Sequence, residues 1–208
     1  MLLPDHAPPI IAILRGVTPP EVLDVAAALF QAGVRGIEVP LNSPAALESI
    51  ALLSARFGKT CLCGAGTVLR AAAVDEVHAA GGRLIVAPNV DPGVIRRACD
   101  LSLTVIPGFA SATEAFQAID AGARILKLFP AGTYGPAHLR AVREVLPRDI
   151  TILAVGGVGA ATLAPWIAAG IDGFGVGGEI YRPGRTAAEV GHGASQLIAA
   201  YHAAITAD

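Results

Sequence analysis

The chain has 208 residues, of which 53% are hydrophobic and 15% charged, and its formal net charge is -2. That length and apolar share suit one domain with a large core and exclude a disordered chain, while a near-neutral charge without any Lys/Arg cluster excludes a nucleic-acid footprint. No apolar run reaches the roughly 18 to 20 residues that span a bilayer, and Asp5 with nearby prolines interrupts any signal-peptide core, so the expected setting is cytoplasmic, with no membrane and no nucleic acid as partner.

Short apolar or β-branched runs alternate with alanine-rich amphipathic stretches along the whole length. The predicted strands are "PIIAILRG" (9–16), "GIEVPL" (36–41), "CLCGAGT" (61–67), "LIVAPN" (84–89), "LTVIPG" (103–108), "ILKLFP" (125–130), "TILAVGG" (151–157) and "GFGVGG" (173–178). Helices fall between them, as in "PPEVLDVAAALFQAG", where proline suits the first turn and Gly33 the stop. Gly122 and Gly170 follow alanines in the same way and read as helix C-terminal glycines. Eight strand–helix units predict a single (β/α)8 TIM barrel over residues 1–208, structured from about residue 7 to 205, with "AITAD" as a frayed end. An open doubly wound sheet is the alternative, but no G-x-G-x-x-G follows the first strand.

Cys61, Cys63 and Cys99 form no paired framework and read as reduced thiols, the first two in a strand. Cys61-x-Cys63 has no second ligand pair, so no metal site and no cofactor is expected.

In such a barrel chemistry sits at the C-terminal ends of the strands. Arg15, Glu38 and Lys127 each interrupt an apolar strand at that end, so three anomalies point to one mouth. Lys127 is one of only two lysines, the other being Lys59, in a chain that otherwise uses arginine. An amine, rather than a positive charge alone, is implied there. Period-two alternation places Ile125, Lys127 and Phe129 on one strand face. The functional reading of Lys127 is an amine kept neutral by desolvation and by Arg15, able to attack a carbonyl; the architectural reading is an ion pair with Glu38. Glu38 reads as a general acid/base or as a salt-bridged strand carboxylate. Gly156-Gly157 and Gly177-Gly178, after the last two strands, present backbone N–H groups where barrels hold phosphate, although Glu179 beside them would repel a dianion.

The segments "IIAILRG", "IEVPLNSP", "GAGTVL", "VAPN", "PGFASATEAFQAIDAGA", "LKLFPAGTYGP", "AVGGV" and "GEIYRPG" resemble, in order and from about residue 9 to 200, the class I KDPG/KHG aldolases. That family cleaves 2-dehydro-3-deoxy-6-phospho sugar acids to pyruvate and a triose phosphate. The resemblance implies a metal-free Schiff base on Lys127, with Glu38 moving the protons. It implies a substrate carboxylate held by Thr67 and by the backbone near Gly66 and Pro88, with Arg15 either joining them, serving the phosphate or holding Glu38. Pro40-Leu41-Asn42 in place of the gluconate type's Thr-Leu-Arg, and Val155 in place of its threonine, match the galactonate type. That type commonly has serine where Gly178 stands. The implied reaction is cleavage of 2-dehydro-3-deoxy-6-phosphogalactonate to pyruvate and D-glyceraldehyde 3-phosphate, and members of the family are commonly homotrimers. The alternatives are a sister aldolase acting on the gluconate epimer or 4-hydroxy-2-oxoglutarate, a phosphate-binding isomerase or epimerase, and a non-enzymatic effector-binding barrel.

Overall fold

A computed structural model describes residues 3–4 and 7–206. The elements run β1 (Ile10–Ile13), α1 (Pro19–Gln31), β2 (Gly36–Pro40), α2 (Ala46–Phe57), β3 (Leu62–Gly66), α3 (Ala71–Ala79), β4 (Leu84–Val86), α4 (Pro92–Asp100), β5 (Thr104–Ile106), β6 (Gly108–Phe109), α5 (Ala112–Asp120), β7 (Ile125–Leu128), α6 (Ala131–Arg143), β8 (Thr151–Val155), α7 (Leu163–Ile167), β9 (Gly173–Val176) and α8 (Ala187–Thr206). All pairings are parallel, and the strand order is β5-β4-β3-β2-β1-β9-β8-β7-β6.

The fifth expected strand is the place where the sequence reading needs correction. Pro107 has no N–H and divides it, so that β5 pairs with β4 while β6 pairs with β7. The two pieces are consecutive in the chain, and the Lys127 N–H donates to the Pro107 carbonyl at 2.9 Å. The interrupted strand is therefore the seam that closes the ring, and the expected (β/α)8 architecture is observed.

Parallel strands covered by helices bury both faces, which explains their nearly continuous apolar sequences. Outward residues such as Leu126, Leu128, Ile152 and Phe174 pack under the helices. Inward residues form a separate cluster of Ile11, Leu84, Val86, Ile106, Leu153 and Val155, with Ile125 and Phe129 against it. This confirms the alternation read from "ILKLFP".

Helix ends follow the local signals. Thr18 and Glu21 form a capping box before Pro19, and Asp91 accepts from the Val94 N–H at the start of α4. The expected C-terminal glycines Gly33, Gly122 and Gly170 have φ of 99°, 113° and 82°, a region open to glycine at little cost. The expected frayed end is corrected in part: α8 continues to Thr206, whose hydroxyl donates to the His202 carbonyl, and Tyr201 stacks edge-on against Phe174. Ala207 and Asp208 lie outside the described residues. Among the described residues no helix is long and apolar enough to cross a membrane.

Two glycines separate close packing from backbone conformation. A Cβ on Gly64 would stand 2.0 Å from the Leu84 carbonyl oxygen, whereas one on Gly33 would meet nothing within 4 Å. Gly33→Ala is expected to cost about 1 kcal/mol through its left-handed backbone. Gly64→Ala is expected to cost about 3 kcal/mol through overpacking between β3 and β4. Urea unfolding midpoints check the order, and a larger loss at Gly33 would contradict it.

Candidate active site

Among the described residues the buried charged side chains are Glu38, on β2, and Lys127, on β7, and both enter the barrel interior. Both are buried, at 3% and 5% exposure. They share the walls of a narrow internal space with Ile13, Val86, Leu153 and Val155, its volume only about 10 Å³. That is room for about one water molecule, so bulk solvent does not screen the pair.

Burial raises the Glu38 carboxyl from its ordinary 4.5 to about 7, while the positive charges of Lys127 and Arg15 oppose the rise. Burial likewise lowers the Lys127 amine to about 8, with Glu38 opposing and Arg15 adding to the fall. In both residues desolvation outweighs the charge–charge effects. Among the described residues the two form no ion pair within 4.0 Å, the ion pairs being Arg70–Glu76, Arg97–Asp75 and Arg143–Asp172. Glu38 Oε2 is buried and meets no hydrogen-bond donor among them. An architectural salt bridge would show the opposite features.

Close packing positions both groups. Pro40 stands level with Gly66 on β3, and a Cβ on Gly66 would come within 1.7 Å of Glu38 Oε2. The missing side chain is what makes space for the carboxylate. Lys127 Nζ lies 4.8 Å from the ring centroid of Phe129, a cation–π contact when protonated. Phe129 rests in turn on Gly156, where a Cβ would come within 3.2 Å of its ring, and Gly157 backs onto Gly132. Both glycines have positive φ, so their first structural role is to let the loops after β7 and β8 touch.

Above the pair opens a cleft of about 740 Å³. Its walls include the predicted Arg15, Phe129, Val155, Gly156, Gly157, Gly177 and Gly178. Val155 borders both the cleft and the inner space, so it stands between the buried pair and whatever fills the cleft. Thr67 and Pro88 are not among the cleft walls. Thr67 is connected through Arg15, whose Nη2 donates to its hydroxyl at 3.5 Å, and it holds a left-handed φ of 56°. Such strain in a non-glycine residue is concentrated at functional sites. The Pro88 carbonyl packs against Gly108, where a Cβ would stand 2.4 Å from its oxygen.

The role of Asn42 was not legible in the sequence. Its Oδ1 accepts from Arg15 Nη1 at 2.6 Å, and the next residue, Ser43, accepts from the Gly16 N–H at 2.9 Å. The loop after β2 therefore aims the guanidinium that the loop after β1 carries. Glu179 is also explained: its Oε1 takes the Ala160 N–H at 2.7 Å, which turns the charge away from Gly177 and Gly178.

A buried amine brought toward neutrality beside an acid/base carboxyl can form and process an imine. The KDPG and KHG aldolase family model matches residues 6–186. The chain belongs to that family. It is 46% identical over 197 residues to the 2-dehydro-3-deoxy-6-phosphogalactonate aldolase of Escherichia coli K12, covering 95% of this chain and 96% of that protein. It is 46% identical over 201 residues to a probable 2-dehydro-3-deoxy-6-phosphogalactonate aldolase of Rhizobium meliloti, covering 97% and 95%. A solved structure described as native KDPGal superposes with a TM-score of 0.94 at 45% identity, covering 95% of this chain and 96% of that one. As a family member the chain is an aldolase, a carbon–carbon lyase built on a barrel.

Reaction of Lys127 with cyanate, followed by peptide mass, reports the neutral amine. The rate is expected to rise with pH through about 8. Because the Glu38 charge holds the amine's proton on, Glu38→Gln should move that rise to lower pH. An unmoved midpoint would show that the two groups do not interact.

Proposed function

We propose that the chain is a class I aldolase cleaving 2-dehydro-3-deoxy-6-phosphogalactonate reversibly to pyruvate and D-glyceraldehyde 3-phosphate, in galactonate catabolism. The observation that carries the reading is the Lys127–Glu38 pair: an amine lowered to about 8 and a carboxyl raised to about 7, held in one narrow internal space. The similarity to curated aldolases of that substrate over nearly the whole chain supports the choice of sugar acid.

The neutral Lys127 amine adds to C2 of the 2-oxo acid, and the carbonyl oxygen leaves as water after Glu38 supplies a proton. The product is an iminium. Ionised Glu38 then takes the C4 hydroxyl proton, the C3–C4 electron pair flows into the iminium, and the aldehyde departs. Glu38 returns the proton to C3 of the enamine, and water hydrolyses the new iminium to pyruvate and free amine. A carboxyl near 7 has both of its forms populated near neutral pH, as a group that gives and takes a proton within one cycle requires. The orphaned Oε2 is free to accept the C4 hydroxyl proton.

Arg15, held by Asn42 and Thr67 and acting electrostatically on both Glu38 and Lys127, serves the carboxylate next to C2. Thr67 adds its hydroxyl, and the Pro88 and Gly66 backbone completes that end. Val155 contacts the carbon chain near C4, and Phe129 shields the imine. Gly156, Gly157, Gly177 and Gly178 flank the phosphate. A homotrimer, implied by the resemblance, is tested by light scattering, where a mass of one chain would overturn it.

Borohydride added with pyruvate should leave a reduced adduct on Lys127, and unmodified Lys127 would sink the Schiff-base reading. Lys127→Ala is expected to lose more than about 10³-fold in turnover, and Glu38→Gln about 10²- to 10⁴-fold. Pyruvate release from the galactonate and gluconate epimers tests the sugar assignment. Equal turnover of the two would remove Val155 and Asn42 as specificity positions.

A further inference from the structure

Besides Arg15, two arginines border the cleft, Arg182 and Arg185. Arg182 follows β9 in "GEIYRPG", and its Nε donates to the Gly178 carbonyl at 2.7 Å. A Cβ on Gly178 would lie 3.5 Å from that Nε and 3.9 Å from Nη2. The guanidinium thus presents its Nε–Nη2 edge to the glycine, at ordinary van der Waals distance from where a Cβ at 178 would stand. One edge is bound to the backbone. The Nη1 and Nη2 edge meets no acceptor among the described residues, and Arg182 borders the cleft.

The neighbouring charges are already committed. Glu179, the carboxylate in the same wall, gives Oε1 to the Ala160 N–H, and its Oε2 sits where a Cβ on Gly159 would be. Arg185 donates to the Glu179 and Ile180 carbonyls, the latter at 2.9 Å, and so braces the turn that carries Arg182. Arg15, held by Asn42 and Thr67, serves the carboxylate in the proposed reaction. Of the three arginines that border the cleft, Arg182 is the one fixed through Nε alone, with both Nη nitrogens free of acceptors among the described residues; Arg15 has both engaged and Arg185 has Nη1 engaged.

We infer that Arg182 anchors the phosphate ester of the substrate, its two free nitrogens taking two phosphate oxygens. A planar fork already fixed at one edge suits bidentate phosphate binding, because little rotamer freedom remains to be lost. The inference rests on the aldolase reading for its substrate but not for its test.

The test is calorimetric titration with glycerol 3-phosphate and with inorganic phosphate at low salt, on the full chain and two variants. Arg182→Met is expected to weaken glycerol 3-phosphate binding roughly 10- to 100-fold. Arg182→Lys, which keeps the charge but loses the planar fork, should weaken it in the same direction, and it decides the matter if Arg182→Met does not fold. The discriminating readout is the ratio of glycerol 3-phosphate affinity to the rate of the pyruvate–borohydride adduct on Lys127. That ratio should fall by the same factor. An unchanged ratio, whether both quantities drop together or neither does, overturns the inference. A parent chain that traps pyruvate but binds no glycerol 3-phosphate keeps the aldolase reading and loses the role of Arg182. One that binds glycerol 3-phosphate through Arg182 and forms no adduct does the reverse.

Discussion

Two opposite charges placed in an apolar barrel, close enough to influence one another yet not joined as an ion pair, are the constraint on which the rest of the site depends. Water would screen them and return both groups toward their ordinary pKa values; direct contact would stabilise both charges and quench the amine. The site avoids both. The inner layer of Ile, Leu and Val excludes solvent, and Gly66 lets the carboxylate lie against β3 instead of reaching across to the lysine. The arrangement has a cost in stability. Protonated Glu38 is favoured by the fold, so its contribution is fully present below 4.5 and is lost as pH rises through about 7. Neutral Lys127 is favoured too, so its contribution is fully present only above 10.5 and is lost as pH falls through about 8. Near neutrality the fold carries both groups partly in their disfavoured forms, an outcome more readily understood as chemistry than as architecture.

Around that pair the mouth is assembled from loops that hold one another. Asn42 and Ser43 tie the turn after β2 to the turn after β1. Pro183 presses on Gly16, whose added Cβ would come within 2.8 Å of the proline ring. Tyr181 donates to Glu21, the capping residue of α1, so the segment before α8 is fixed to the start of the first helix. Phe129 and Gly132 pack on Gly156 and Gly157. Each contact joins loops distant in sequence, and together they set the separation between the buried pair and the cations of the cleft.

The fold was legible because parallel barrels write it in local signals. Apolar runs of four or five residues, helices opened by proline and closed by glycine, and a regular alternation were enough to place eight strands. Lys127 and Glu38 stood out because a charge in such a run has few benign explanations, and Phe129 followed from period two. What stayed hidden was through-space. Arg182 reads as an ordinary loop arginine until the bare face of Gly178 is seen beneath it. Asn42 reads as a missing arginine until its carbonyl is found holding Arg15. Glu179 reads as a repulsive charge until the Ala160 N–H takes it. None of these relations has a sequence period, since each joins separate loops or depends on an atom that glycine lacks.

The seam at Pro107 bears on how such a barrel can be divided. It lies near the middle of the chain, with Glu38 on one side and Lys127 on the other, and the lysine's own N–H is bonded across it to the Pro107 carbonyl. In the proposed reaction, a half-barrel ending at the seam would own a base without a nucleophile; the complementary half would own the reverse. Neither could be selected for imine chemistry by itself. Closure of the ring is therefore what brings the two groups into one space, and in the proposed reaction turnover would report whether two fragments had found each other.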